Sequence, residues 1–445
     1  MEERRVGWRG VLAALLLAGC ASVDPTTRWQ RVHDLAGSAT GETLTWEQSD
    51  EDAARIRATV NELKADGLSR AEAIRIALLN SRSLQATFED VGIAESRVVQ
   101  AGLFTNPSLS VILAFPLNLG DGSVTLMGFL SDLWIVPAEE AVAEAEAEQT
   151  VRRVAAEIVA TAADAADAYD DVAYWSARRE LQIESDAGSS SSGPAPATDR
   201  ERWKARGDEL DRERAMALVE KKLALARNEL ATLLAFPDPD ELPRLTDGLE
   251  PPAPAGLGED EAVSFALDHR FDVATAELAV ESADRSLELA QLRVYGQVAV
   301  GPAYEGGFGQ FDAGGPAFGF DLPIFDQHQA QIARAEYELR SRRKELEDAR
   351  LQAQSEVRAA LAEAEFRRRA AAVSRTRLAE ATALSRKHAP RARSGDADAE
   401  WARTTERKAR RTDLDAALKL HQAERDLHRA LWGTGGASVP DDDDD

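Results

Sequence analysis

Cysteine is all but absent. Cys20 is the only one in 445 residues, so no disulfide forms within one chain. Aromatic residues make up 6%, too few for a thick globular core. Basic residues are outnumbered, 53 Lys and Arg against 78 Asp and Glu, for a formal net charge of -25. Nucleic acid requires a basic footprint, so that class of partner is excluded. What remains in quantity is alanine and charge, the latter 29% of residues. Such a mixture favours long helices with narrow apolar stripes.

The start of the chain is patterned. Arg4, Arg5 and Arg9 precede "VLAALLLAG", an apolar run too short to span a bilayer as a permanent helix. Residues 1–19 are therefore expected to act as an export signal. Leu17-Ala18-Gly19-Cys20 resembles the lipobox of bacterial lipoproteins, in which the cysteine is lipidated and becomes the new N-terminus. Ala21 in place of Asp implies, by the same resemblance, the outer membrane as destination. An incidental cysteine behind an ordinary signal peptide is the plainer alternative.

The chain then states one pattern twice. "LSRAEAIRIALLNSRSLQA" from Leu68 aligns with "LGEDEAVSFALDHRFDVAT" from Leu257 at a constant offset of 189 residues. Glu72 falls on Glu261, Ala73 on Ala262, and Ala77-Leu78 on Ala266-Leu267. This is an internal duplication. In each half a helix should follow, then alternation: Leu109, Val111, Leu113 and Phe115 oppose Ser108, Ser110 and Ala114, while Val298 and Val300 oppose Gln297, Ala299 and Gly301. Each run has a partner across a Gly- and Asp-rich turn, Val124 to Ile135 and Ala317 to Ile324, which reads as a β-hairpin. Phe318, Phe320 and Leu322 share the large-residue parity of the last run. Both second strands are expected to end before a proline, Pro137 and Pro323.

Long helical tracts come next. Asp326 to Ala389 contains no breaker and would extend roughly 95 Å at ~1.5 Å per residue. Ile332, Leu339, Leu346, Ala353 and Ala360 repeat every seven residues, the seam of a helix packed along its length. Each tract should then turn back. The second turn falls at Pro390 to Gly395. The first is ambiguous: alignment from the strand places it at Gly207, alignment from the far end places it near Thr198, with "SSSSGPAPAT" between. Taken alone, the tracts fit a coiled-coil rod equally well.

The strand lengths suit tilted bilayer crossings of ~9–11 residues, with apolar residues on one parity and small or polar ones on the other. Four strands do not close a barrel, and an open edge in hydrocarbon leaves backbone groups unpaired, so a membrane role requires further copies. A small soluble sheet packed on helices is the rival reading.

The order of these elements resembles the TolC-type outer-membrane efflux proteins over nearly the whole mature length. The opening at Leu68 with its echo at Leu257, "AGLFTNPSLSV", "FDLPIFDQHQAQIARAE" and "ARSGDADAE" carry the likeness. It implies a mainly α fold with a β-barrel portion: a trimer whose twelve strands form one barrel, continued by a periplasmic helical tunnel. The implied domains are a lipidated segment 20–65, a first repeat 66–236, a Pro-rich crossover 237–256, a second repeat 257–434 and an acidic, disordered tail 435–445. Leu109, Val111, Leu113, Val298, Val300, Phe318, Phe320 and Leu322 would face lipid. Gly207 and Gly395 would mark the helical tips, and Asp396, Asp398 and Glu400 are candidates for the periplasmic aperture by proximity. The first turn is enlarged and neither carries the Val-Gly-Leu type tip common in the family.

No catalytic or metal constellation stands out. His421 and His428, seven apart, could share a helix face but read as structural or surface residues rather than metal ligands, and "GGFGQFDAGG" joins strands rather than opening a phosphate-binding helix. No enzyme activity and no cofactor is expected. The reading is a passive exit duct for small molecules or metal ions, partnered by outer-membrane lipid, a periplasmic adaptor and an inner-membrane transporter. A protein-secretion channel of the same fold, or a pore-free periplasmic coiled-coil lipoprotein, are the alternatives.

Overall fold

The computed structural model describes residues 22–113, 122–189, 198–250, 256–306, 313–388 and 397–434. The readings at Cys20, Gly395, Asp396, the export signal and the acidic tail lie outside these residues. The first half contains α1 (Thr26–Thr40), α2 (Asp50–Leu63), α3 (Arg70–Asn80), α4 (Arg82–Ala101), β1 (Ser108–Leu113), β2 (Gly122–Phe129), α5 (Asp132–Ser189) and α6 (Asp199–Leu233). The second contains α7 (Glu259–His269), α8 (Phe271–Leu292), β3 (Val298–Gly306), β4 (Ala313–Phe320), α9 (Gln329–His388) and α10 (Ala397–Trp432). The sequence of elements from α3 to α6 is thus repeated from α7 to α10.

The duplicated residues have matching physical roles. Glu72 accepts the Ser69 backbone N–H at 2.7 Å, and Glu261 accepts that of Gly258 at 3.3 Å, so each caps the start of its helix. Ala73 and Ala77 are fully buried, and so are Ala262 and Ala266. Ser81 and Arg270, again 189 apart, both interrupt the helix between the paired segments.

The chain forms two compact units, and each draws on both halves. The first comprises Met1–Val32, Glu89–Val154 and Ala274–Ala349. It holds a four-stranded antiparallel sheet in the order β1-β2-β3-β4. Strands β2 and β3, from different halves, pair directly, Val124 opposite Tyr304 and Gly128 opposite Val300. That pairing is interrupted opposite Gly301 and Pro302, where proline has no N–H to offer. A Cβ on Gly301 would lie 1.7 Å from the Leu126 carbonyl oxygen, so only glycine permits this approach. In the same unit Arg28 of α1 is inserted between Glu95 and Glu144, and Arg31 meets Glu148 at 2.6 Å.

The second unit comprises His33–Phe88, Ala155–Val273 and Arg350–Asp445. One core joins Leu68, Ile76 and Ala77 to Ala165 and Tyr169 of α5 and Leu230 of α6. A second joins Ala262 and Ala266 to Val357 and Leu361 of α9 and Leu427 of α10. Alanine recurs in both because it lets helix backbones approach closely while its burial still removes apolar area from water.

Three expectations need correction. Gly207 lies inside α6, whose N-cap is Thr198 with Glu201 completing a capping box, so of the two placements of the first turn only the one near Thr198 is compatible with the helix. Local cap chemistry decided this, and an isolated glycine is tolerated inside a helix. Pro137 does not end the preceding strand: β2 stops at Phe129 and α5 begins at Asp132, with Pro137 within its second turn. Leu322 lies beyond the end of β4 at Phe320. Helix α1 was not foreseen at all.

Candidate functional site

Antiparallel register settles which side chains share a face, because directly opposed residues project to the same side. Leu109 opposes Leu126, Val111 opposes Val124, Val124 opposes Tyr304, Val300 opposes Phe318, and Val298 opposes Phe320. Leu113, by its pairing with Gly122, continues the same row. The face is apolar across all four strands and lies open: Leu109 is 66% exposed and Phe318 68%. The reverse face carries Ser110, Thr125, Ala299, Gly301, Ala317 and Gly319, with Ile112, Met127 and Phe129 as its large residues. A continuous exposed apolar face is unusual on a water-soluble chain and marks a contact surface.

Beyond the strands, at the end where β1 and β3 begin and β2 and β4 finish, more large apolar residues are exposed. Phe104, Leu133, Tyr295, Leu322 and Phe325 are among them, and Phe325 is 92% accessible. Leu322 therefore belongs to a belt at the sheet's end rather than to the strand face.

The long helices also carry unpartnered stripes. The expected seam of α9 is present in both units: Leu339 is buried and Ile332 and Leu346 are half-buried in the first, Ala353 and Ala360 are buried in the second. In the second unit α9 also exposes Leu351, Phe366 and Val373. Trp203, Leu210, Leu218 and Leu225 of α6 are all exposed. At about 100° per residue these four fall within an arc of about 80°, a single stripe with no partner among the described residues.

The two described aperture candidates, Asp398 and Glu400, occupy the first turn of α10 and are exposed. Carboxylates there are favoured by the helix dipole, which gives them a local role as well.

The densest charge cluster was not read from the sequence. Asp170 of α5 is fully buried and accepts from Arg70 Nε at 2.8 Å and from Arg425 Nη1. Arg429 donates to Asp167 at 2.6 Å and to Asp164 at 2.7 Å. His421 Nδ1 stands 3.6 Å from Asp170, an acid brought to it from another helix. Burial lowers the His421 pKa and keeps the ring neutral near pH 7. The pattern was visible as "DAADAYDD" facing His421, Arg425 and Arg429, four residues apart on one row of α10.

Acids outnumber cations in this cluster, and Asp171 bears the consequence. Burial, and then the charges of Asp167 and Glu229, push its carboxyl up to about 6 from 3.8. A folded acid with a raised pKa binds more protons than the unfolded chain, so stability falls as pH rises from about 4 to 6. Asp171→Asn is therefore expected to raise stability at pH 7 by on the order of 2 kcal/mol, with the gain vanishing near pH 4. Thermal unfolding of both proteins across pH 4–8 checks this; a gain independent of pH would contradict it.

Among the described residues, no group of three or more His, Cys, Asp and Glu is placed to hold a metal ion, and no helix is long and apolar enough to cross a membrane. No sequence-family profile matches the chain, and no characterised protein matches it by sequence. Solved structures do match. A membrane protein from Pseudomonas aeruginosa superimposes with a TM-score of 0.64 at 18% identity, over 88% of this chain and 97% of that one. The open state of the Neisseria gonorrhoeae MtrE outer membrane channel gives 0.61 at 21%, over 82% and 89%. The Campylobacter jejuni CmeC outer membrane channel gives 0.60 at 12%, over 94% of both chains. The chain shares the fold of these proteins: mostly helical, with an antiparallel sheet that does not close within one copy.

Proposed function

We propose that the protein is a TolC-type outer-membrane channel subunit, the passive exit duct of a tripartite export system. The observation that carries this reading is the open four-stranded sheet with one exposed apolar face. Its two edge strands, β1 and β4, have no outer strand partner among the described residues, and in lipid such edges are satisfied only by closure. Three copies supply twelve strands, with the apolar face toward hydrocarbon and the Ser-, Ala- and Gly-rich face toward a wet lumen. The belt of Phe104, Tyr295 and Phe325 suits the aromatic girdle at a bilayer interface. The exposed stripes on α6 and α9 suit contacts with neighbouring copies.

A periplasmic adaptor and an inner-membrane transporter are the partners this role requires, since the chain offers no nucleotide-binding motif of its own. Cys20 serves as the lipid anchor. Cys20→Ser is expected to abolish palmitate incorporation, because thioether attachment needs the thiol; normal labelling of the variant would exclude the lipobox. Asp396, Asp398 and Glu400 form the periplasmic aperture, where threefold symmetry makes a ring of carboxylates that favours cations.

Planar-bilayer recording tests the duct. The purified protein should give discrete conductance steps, with cation preference reduced when the three acids become Asn, Asn and Gln. Absence of steps from inserted oligomer contradicts the duct. Unchanged selectivity would leave the duct and remove the aperture assignment. Accumulation of small toxic compounds in a deletion strain, with protein secretion intact, separates efflux from a secretion role.

A further inference from the structure

A groove of about 450 Å³ lies in the second unit between α5, α6 and α10. Its lining is unusual for a chain of net charge -25. Arg178 enters from α5, and Arg407, Lys408 and Arg411 from α10, against a single lining carboxylate, Asp415. Asp415 is already committed: it accepts the Tyr174 hydroxyl at 2.6 Å and faces Arg178 at 3.4 Å. That arrangement fixes Arg178, whose side chain is 11% exposed and lies over the Tyr174 ring.

The other three cations have no such partner. Arg407, Lys408 and Arg411 make no ion pair among the described residues, whereas Arg410, between them in sequence, pairs with both Glu184 and Glu406. Helical spacing puts Arg407 and Arg411 four apart and Lys408 and Arg411 three apart, so all three point to one side. Like charges at these spacings repel one another. Thr404, Thr412 and Gln182 add neutral hydrogen-bonding groups to the same lining.

We propose that this groove binds a small organic anion carrying two or more negative charges, of the polycarboxylate or phosphate-ester class. Guanidinium groups donate in a planar fork that matches both carboxylate and phosphate oxygens, and the ammonium of Lys408 adds a point charge. A ligand of about three negative charges balances the four cations and Asp415. The site goes beyond the duct reading and stands independently of it, because binding is measured without any pore.

Calorimetric titration of the purified full-length protein at low ionic strength tests the site, with citrate in one arm and inorganic pyrophosphate in the other. At least one should bind saturably, once per chain, and the arm that binds identifies the class. Lys408→Gln/Arg411→Gln replaces two exposed side chains, which spares the fold, and should weaken binding at least tenfold. Arg375→Gln/Arg377→Gln on α9 removes the same charge elsewhere and should leave affinity within twofold. No saturable binding in either arm, or equal weakening by the two double variants, overturns the site.

Discussion

Phe318→Arg and Leu109→Arg should abolish stable membrane-inserted oligomer, while Ser110→Arg and Ala317→Arg should leave it largely intact. Phe318 and Leu109 project from the apolar face, and both are already more than half exposed in the single chain. In a water-soluble sheet, placing arginine there costs little, because the side chain it replaces was in water anyway. In a barrel wall the same cation sits in hydrocarbon, at about 2–4 kcal/mol per copy near the midplane. Three copies multiply that penalty within one oligomer. Ser110 and Ala317 lie on the opposite parity, where arginine reaches water. The readout is heat-resistant oligomer extracted from membranes. Equal tolerance of all four substitutions would place the sheet in water and return the chain to a structural lipoprotein.

Asp170→Asn should destabilise the helical unit by about 3–5 kcal/mol, the cost of stripping one partner from a buried charge pair. Asparagine keeps the shape, so little of the loss comes from packing. What changes is that Arg70 and Arg425, with side chains 26% and 13% exposed, lose the carboxylate that compensates their burial. Asp164→Asn is the matched control. Its side chain is 54% exposed and contacts Arg429 from the rim, so a loss below about 1 kcal/mol is expected. Denaturant unfolding followed by circular dichroism distinguishes the two. Similar small losses at both positions would mean that water reaches Asp170 and the network is not buried.

The features that sequence revealed are those with a local or periodic signature. The duplication was legible because Glu72 and Glu261 perform the same capping task and the alanines at 73, 77, 262 and 266 meet the same close packing. Strand parity was legible because period two maps directly onto faces, and register then carried Leu109 to Phe320 onto one side. Gly207 misled because glycine is ambiguous inside a polar helical pattern, whereas the Thr198 and Glu201 capping box decides for the alternative placement near Thr198. Leu322 misled because alternation persists past the last ladder hydrogen bonds into the belt.

The charged features were hidden for a different reason. Asp170 and its cations are about 100 and 255 residues apart in sequence, so no window contains both sides of the network. The groove at Arg178 and Arg411 is similarly assembled from α5 and α10. Helix α1 was missed because its apolar positions are few; it is held by Arg28 between Glu95 and Glu144, a contact no periodicity reports.

The most direct measurement of the central claim is an electron-microscopic image of the purified oligomer in detergent. Three copies around a central pore, with density for a closed twelve-stranded wall, is the predicted result. A monomeric or twofold particle without a pore would contradict it.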